Sequence, residues 1–138
     1  MAANTQPIFS KAADIQWGAA ALLTANTAKD GTGTVTTVFT ADATNGGFVQ
    51  KLLARPIGTN VASVLRVFIN NGSTNATVAN NTLIGELTLP ATTLTEVAAQ
   101  TDFVLPLNFA LPLGYKLNCT VGTTVAAGYQ LTVIGGKF

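Results

Sequence analysis

The stretch Thr101–Gly136, TDFVLPLNFALPLGYKLNCTVGTTVAAGYQLTVIGG, decides the architecture of this chain. From Tyr115 to Val121 apolar and polar residues alternate without a break, the period of a half-buried β-strand. Tyr115, Leu117, Cys119 and Val121 are expected to face a core, with Lys116, Asn118 and Thr120 facing out. Tyr129–Val133 repeats the pattern. Phe103, Leu105, Leu107 and Phe109 form a third inward face, with Pro106 and Asn108 outward. Between them, Pro112 presets the second position of a turn and Gly114 tolerates its last position, which launches Tyr115 into its strand. Three strands joined by short turns read as a meander or Greek-key segment.

Upstream, the same grammar recurs. Ala28–Gly33 is a turn built on Asp30-Gly31. Thr34–Thr40 follows as a β-branched strand with Val35, Thr37 and Phe39 on one face, and Asp42–Gly47 turns the chain. Phe48–Ile57 is a strand that Pro56 must end or push to a sheet edge, and Gly58-Thr59-Asn60 turns again. Ala62–Asn70 places Leu65, Val67 and Ile69 on one face. On the other it places Val64, Arg66 and Phe68, a partly apolar outer face of the kind that meets another layer or subunit. Asn70–Asn81 is the most polar stretch and an exposed loop, with Asn71-Gly72 suited to a tight turn. Leu83, Gly85, Leu87 and Leu89 resume an inward face that stops at Pro90. Ala91–Gln100 has Leu94, Val97 and Ala98 at helical spacing and reads as a helical turn within a crossing between sheets.

Two segments near the start are less regular. Residues 1–15 read as an arm, in which Ile8 and Phe9 have little local support and either fray or dock on a neighbouring subunit. Ser10 could cap a short helix through Asp14. Gln16–Thr24 is Ala-rich and ambiguous between a first strand and a helical turn. Its Trp17, the single tryptophan, is expected to anchor the core, because large aromatics mostly serve packing.

The sum is an all-β, single-domain antiparallel β-sandwich over residues 16–138 with roughly eight strands. A jelly-roll type is favoured because the segment after Pro90 is long enough to cross between sheets; a closed barrel is the other architecture. A chain of 138 residues can bury a core without staples.

Composition narrows function by exclusion. Hydrophobic residues make up 48% and charged residues only 9%, with a mean hydropathy of +0.41, against a usual charged fraction of about 25%. Such a surface is either neutral and hydroxyl-rich or largely covered by partners, since charge depletion marks interface cores. The net charge is +1 and the seven basic residues are scattered, so phosphate neutralisation on nucleic acid is not expected. No apolar run approaches the roughly 18 residues of a membrane span. No secretory signal is visible, so synthesis in the cytosol is expected.

Chemistry is sparse. The chain has no histidine, which removes Ser-His and Cys-His nucleophile activation and the usual zinc ligand. The carboxylates Asp14, Asp30, Asp42, Glu86, Glu96 and Asp102 sit mostly in turns and nothing in their spacing pairs them. Gly31-Thr32-Gly33 lacks the endings of a dinucleotide or phosphate loop. Cys119 reads as a buried apolar thiol. No catalytic residue, cofactor or metal is expected, and the reading is of a protein that is not an enzyme.

The run Leu105–Leu117, closed by Gly128–Gly136 and joined by Thr59–Ala62 leading into Arg66–Gly72, resembles small virion proteins of tailed bacteriophages. With Lys29–Thr40 the likeness covers most of residues 29–136. The resemblance implies a β-sandwich that sits on the capsid as a decoration or cement protein, bound to the major capsid protein and localised to the virion surface. Such a role needs a rigid body whose many weak contacts multiply through avidity. It makes Ile8, Phe9, Val64, Arg66 and Phe68 the expected interface, in a homo-oligomer for which a trimer is the first guess because capsid surfaces present threefold sites. The alternative is a carbohydrate- or receptor-binding module of a phage tail or fibre, using exposed aromatics or a polar groove in the Asn70–Asn81 loop.

Overall fold

The computed structural model describes residues 10–138; Ile8 and Phe9 lie outside the described residues. Among these the strands are β1 (Ala12–Ala13), β2 (Gln16–Trp17), β3 (Thr36–Thr40), β4 (Gly47–Pro56), β5 (Ser63–Asn70), β6 (Asn81–Leu89), β7 (Phe103–Leu111), β8 (Lys116–Val121) and β9 (Tyr129–Lys137). They form two antiparallel sheets. One runs β1-β9-β4-β7 with β2 also on β9, and the other runs β3-β8-β5-β6. Since β1 and β2 lie along the same neighbour, with Ala12 opposite Lys137 and Trp17 opposite Thr132, they are one strand broken at Asp14-Ile15. Counted so, eight strands switch sheets at every connection except the β5–β6 hairpin, in the order of a jelly roll. The helix expected from Ser10 to Asp14 is replaced by β1, so the last residues of the expected arm belong to the sheet.

The inward faces assigned from alternation in β5, β7, β8 and β9 hold. Leu65, Val67, Leu117, Cys119, Val121, Tyr129, Leu131 and Val133 form one buried cluster with Phe39, Val49 and Leu52, and Phe103, Leu105, Leu107, Phe109 and Tyr115 pack against it. Pro56 closes β4, a central strand, at its last position. Pro106 sits in β7, an edge strand, the place in a sheet where proline is tolerated. Asn108 adopts a φ of 56° where the β4–β7 register shifts. Asn tolerates this left-handed backbone better than most residues, and the bulge keeps Phe109 inward.

Bulges also mark where alternation misleads. The β5–β6 register shifts after Val67–Gly85, so that Phe68 faces Leu83 and Ile84 is the extra residue. Leu83, expected inward, is consequently exposed. A shift between Thr37 and Phe39 in β3 likewise sends Phe39 into the core while Thr37 points out to bond Asn118. The segment 91–102 contains no helical turn; it is irregular and crosses from β6 in one sheet to β7 in the other, as its length requires.

The two outer faces are treated differently. Asn26 lies beside Val121 at the end of β8, and from there the chain loops across the outer face of the β3-β8-β5-β6 sheet. Asn75 Nδ2 donates to the carbonyls of Gly31 (3.1 Å) and Gly33 (2.7 Å). Asn26 Nδ2 donates to those of Thr32 (2.9 Å) and Thr34 (2.8 Å). Beneath this roof Phe68, Asn118, Thr120 and Asn70 are buried. The other sheet leaves in register on its outer surface Val104, Leu53, Thr132 and Trp17, contributed by β7, β4, β9 and β2. Where the two sheets' edges meet, Gln16 bridges them. Its Nε2 donates to the Thr40 carbonyl and its Oε1 accepts from the Thr40 N–H, both at 2.9 Å, so one side chain satisfies the outer main-chain groups of Thr40, at the end of β3, as a strand would.

Candidate functional site

The expected interface is only partly at the surface. Phe68 is fully buried, because the loop from Asn26 to Thr34 covers the face it shares with Asn118 and Asn70. Arg66 lies flat on the same face, its side chain only 12% exposed and its Nε donating to Glu86 Oε1 at 3.1 Å. Val64 is half-buried. An apolar outer face around Phe68 therefore does not describe the folded chain. The signal was the Asn-rich sequence on both sides of it, which supplies side-chain amides able to hold main-chain carbonyls.

A group of exposed aliphatic side chains lies elsewhere, at one end of the sandwich. Ile57 is 45%, Val61 55%, Leu94 52% and Val97 94% exposed. They sit in two neighbouring loops, 57–62 between β4 and β5 and 90–102 between β6 and β7. Exposed aliphatics on loose loops would be poor binders, since ordering them on contact costs entropy. Here the loops are pinned. Asn60, only 3% exposed, accepts from the N–H groups of Ala127 (2.9 Å) and Gly128 (2.8 Å). Its Nδ2 donates to the carbonyls of Gly58 (3.3 Å) and Gly128 (3.2 Å). Its main chain exchanges two bonds with Thr92, whose hydroxyl donates to the Gly58 carbonyl at 2.9 Å. The Leu94 N–H donates to Thr59 Oγ1 at 2.9 Å. The Asn60 amide thus ties loop 57–62 to loop 122–128, while its main chain and the hydroxyls of Thr92 and Thr59 tie loop 57–62 to loop 90–102. The sequence marked Asn60 only as a turn residue.

The titratable groups are dispersed. Asp30 is hydrogen-bonded by the Thr32 hydroxyl and N–H, which hold its carboxyl below the usual value. Asp42 is held low by the N–H groups of Asn45 and Thr44 in its own turn. Asp102 pairs with Arg55, Glu86 with Arg66, and Asp14 accepts from Gln16. Burial pushes the Cys119 thiol far up, so it stays protonated and unreactive. Among the described residues no three groups of the Cys, Asp and Glu kind come together as a metal-holding set, and no helix is long and apolar enough to cross a membrane. No family model, curated protein or solved structure matches the chain. Exposed apolar side chains are also scattered singly elsewhere, among them Ile15, Val78, Leu113 and the largest, Trp17. Expected in the core, it is 67% exposed, because pairing with Thr132 sets its parity to the outer face of β9.

Proposed function

We propose that this chain is a structural virion protein, a decoration or cement protein that binds the outside of a tailed-phage head and stabilises it through multivalent contacts. The observation that carries the proposal is the pinned apolar end: Ile57, Val61 and Leu94 are exposed beside the bonds that Asn60, Thr92 and Thr59 make between their loops, and Val97 is exposed three residues further along the second loop. Preorganised aliphatic tips lose little freedom on docking and desolvate cheaply. Adhesion to a shell asks for nothing more chemical than that. A charge content of 9% suits broad neutral contact, and the likeness of residues 29–136 to small phage virion proteins supplies the shell as partner. Self-association, with a trimer matched to threefold capsid sites, raises the number of tips that bind at once.

The proposal is tested by sedimenting expanded heads, built from the major capsid protein of the same phage, with wild-type protein and with Leu94→Asp/Val97→Asp. The wild type co-sediments in stoichiometric amounts. The double variant, whose changes sit on exposed side chains and leave the fold intact, binds at least about tenfold more weakly, the effect of roughly 1.4 kcal/mol of lost contact. Wild-type protein that stays in the supernatant refutes the role.

A further inference from the structure

The first strand leaves β9 just after Trp17. Gly18 N–H still donates to the Leu131 carbonyl (3.1 Å), and Leu22 regains β9 by exchanging bonds with Tyr129. Between them Ala19, Ala20 and Ala21 arch outward, and their main-chain N–H and C=O groups find no partner among the described residues. The arch leaves a shallow depression of about 340 Å³ against β9, with Trp17 at one end and Gln130 and Thr132 on its wall. No ionisable side chain lines it.

From this we propose that the depression is a binding site for a neutral saccharide. Three independent features converge there. An indole 67% exposed offers a flat apolar face of the size of a pyranose ring, and a single large aromatic left in solvent at a sheet edge gains most from a ligand with one apolar side and one polar rim. The Gln130 amide, the Thr132 hydroxyl and the unpaired main-chain groups of Ala19–Ala21 offer both donors and acceptors, the mixture that ring hydroxyls require. The lining carries no charge, and the guanidinium of Arg55, opposite Gln130 on β4, is already neutralised by Asp102, which disfavours phosphates, sulfates and acidic sugars. The size of the depression fits a mono- or disaccharide unit, with a longer chain running out along the open face past Thr132 and Leu53. The Asn70–Asn81 loop offers no comparable site, because its amides are spent on Gly31, Gly33, Thr74, Asn75 and Thr77. This site shares no lining residue with the apolar loop end, which it adjoins through Ala21 and Gly128, and it does not depend on what that end binds.

Because Trp17 is the single tryptophan, its emission reports the site directly. The full chain is titrated with neutral oligosaccharides built on glucose, galactose, mannose and N-acetylglucosamine, with sialylated and sulfated forms alongside. The expected result is a saturable shift of Trp17 emission with at least one neutral series and none with the acidic ones. Binding measured by calorimetry falls at least about tenfold in Trp17→Ala and three- to tenfold in Gln130→Ala, and is partly kept in Trp17→Phe. The thermal midpoint moves by less than about 2 °C in each variant, as befits exposed side chains. The inference is overturned if no neutral series gives a response, if acidic sugars bind better, or if binding survives Trp17→Ala. Binding to heads is scored separately with the same Trp17→Ala protein and is expected to be unchanged.

Discussion

Asn60 shows how one side chain can decide whether a surface is usable. Its amide is buried and engages Gly58, Ala127 and Gly128. Replacing it by Ala strands main-chain donors of the 122–128 loop in a place water reaches poorly. Each such orphan costs about 1–3 kcal/mol, so Asn60→Ala is expected to lose about 3 kcal/mol in a urea titration and to raise hydrogen exchange at Ala127 and Gly128. Asn60→Asp keeps the acceptor but loses the donor, and places a charge in a buried site; it should be no more stable than the Ala variant. Cys119 gives a second test at this scale. Its thiol is buried and protonated, so the native protein should resist thiol reagents at neutral pH and react only as fast as it unfolds.

At the scale of elements, the roof over the β3-β8-β5-β6 sheet is the least expected feature. Loop 26–34 has little apolar content, and it is held by amide-to-carbonyl bonds rather than by packing. Asn75→Ala removes two of them and should cost about 1–2 kcal/mol, with faster hydrogen exchange in loop 26–34 while β5 and β8 stay protected. The turns carry the pH response. Folding lowers the carboxyls of Asp30 and Asp42, so their contribution is present above the unfolded value of about 3.9 and is lost as pH falls through the lower folded values. With no histidine in the chain, the thermal midpoint should be flat between about pH 5.5 and 7 and fall below about pH 4. The fall should be smaller in Asp30→Asn/Asp42→Asn.

What the sequence made legible follows from the same elements. Period-two alternation found the inward faces of β7, β8 and β9, because each strand has one face on the core and one away from it. It failed at Leu83 and at Thr37, where a single extra residue in β6 or β3 reverses every side chain beyond it. Trp17 was misplaced on different grounds, the tendency of large aromatics to serve packing; β2 is two residues long, and its pairing with β9 sets the parity that turns the indole outward. Phe68 was assigned correctly to the outer face. What alternation could not show is that another part of the chain folds over that face. The exposed end was hidden for a different reason. Ile57, Val61, Leu94 and Val97 are far apart in sequence, and only the crossing between the sheets brings their loops together.

For the whole molecule, the jelly roll separates duties in space. One sheet is roofed by its own loops, the other is open, and one end presents aliphatic side chains on a rigid base. With so few charges, solubility rests on Asn, Thr and Gln, and added Asp at the loop end should improve solubility while abolishing adhesion. Light scattering of the free protein is expected to give a trimer; a strict monomer would leave the apolar end to supply avidity only through the number of copies on a shell. The proposed cement role fixes which way the sandwich would face on a head, and an electron-microscopy map of the particle carrying this chain tests it most directly. The prediction is sandwich density on the outside of the head with loops 57–62 and 90–102 against the capsid and the Trp17 edge open to solvent. Density with those loops pointing outward, or none on the head at all, would contradict it.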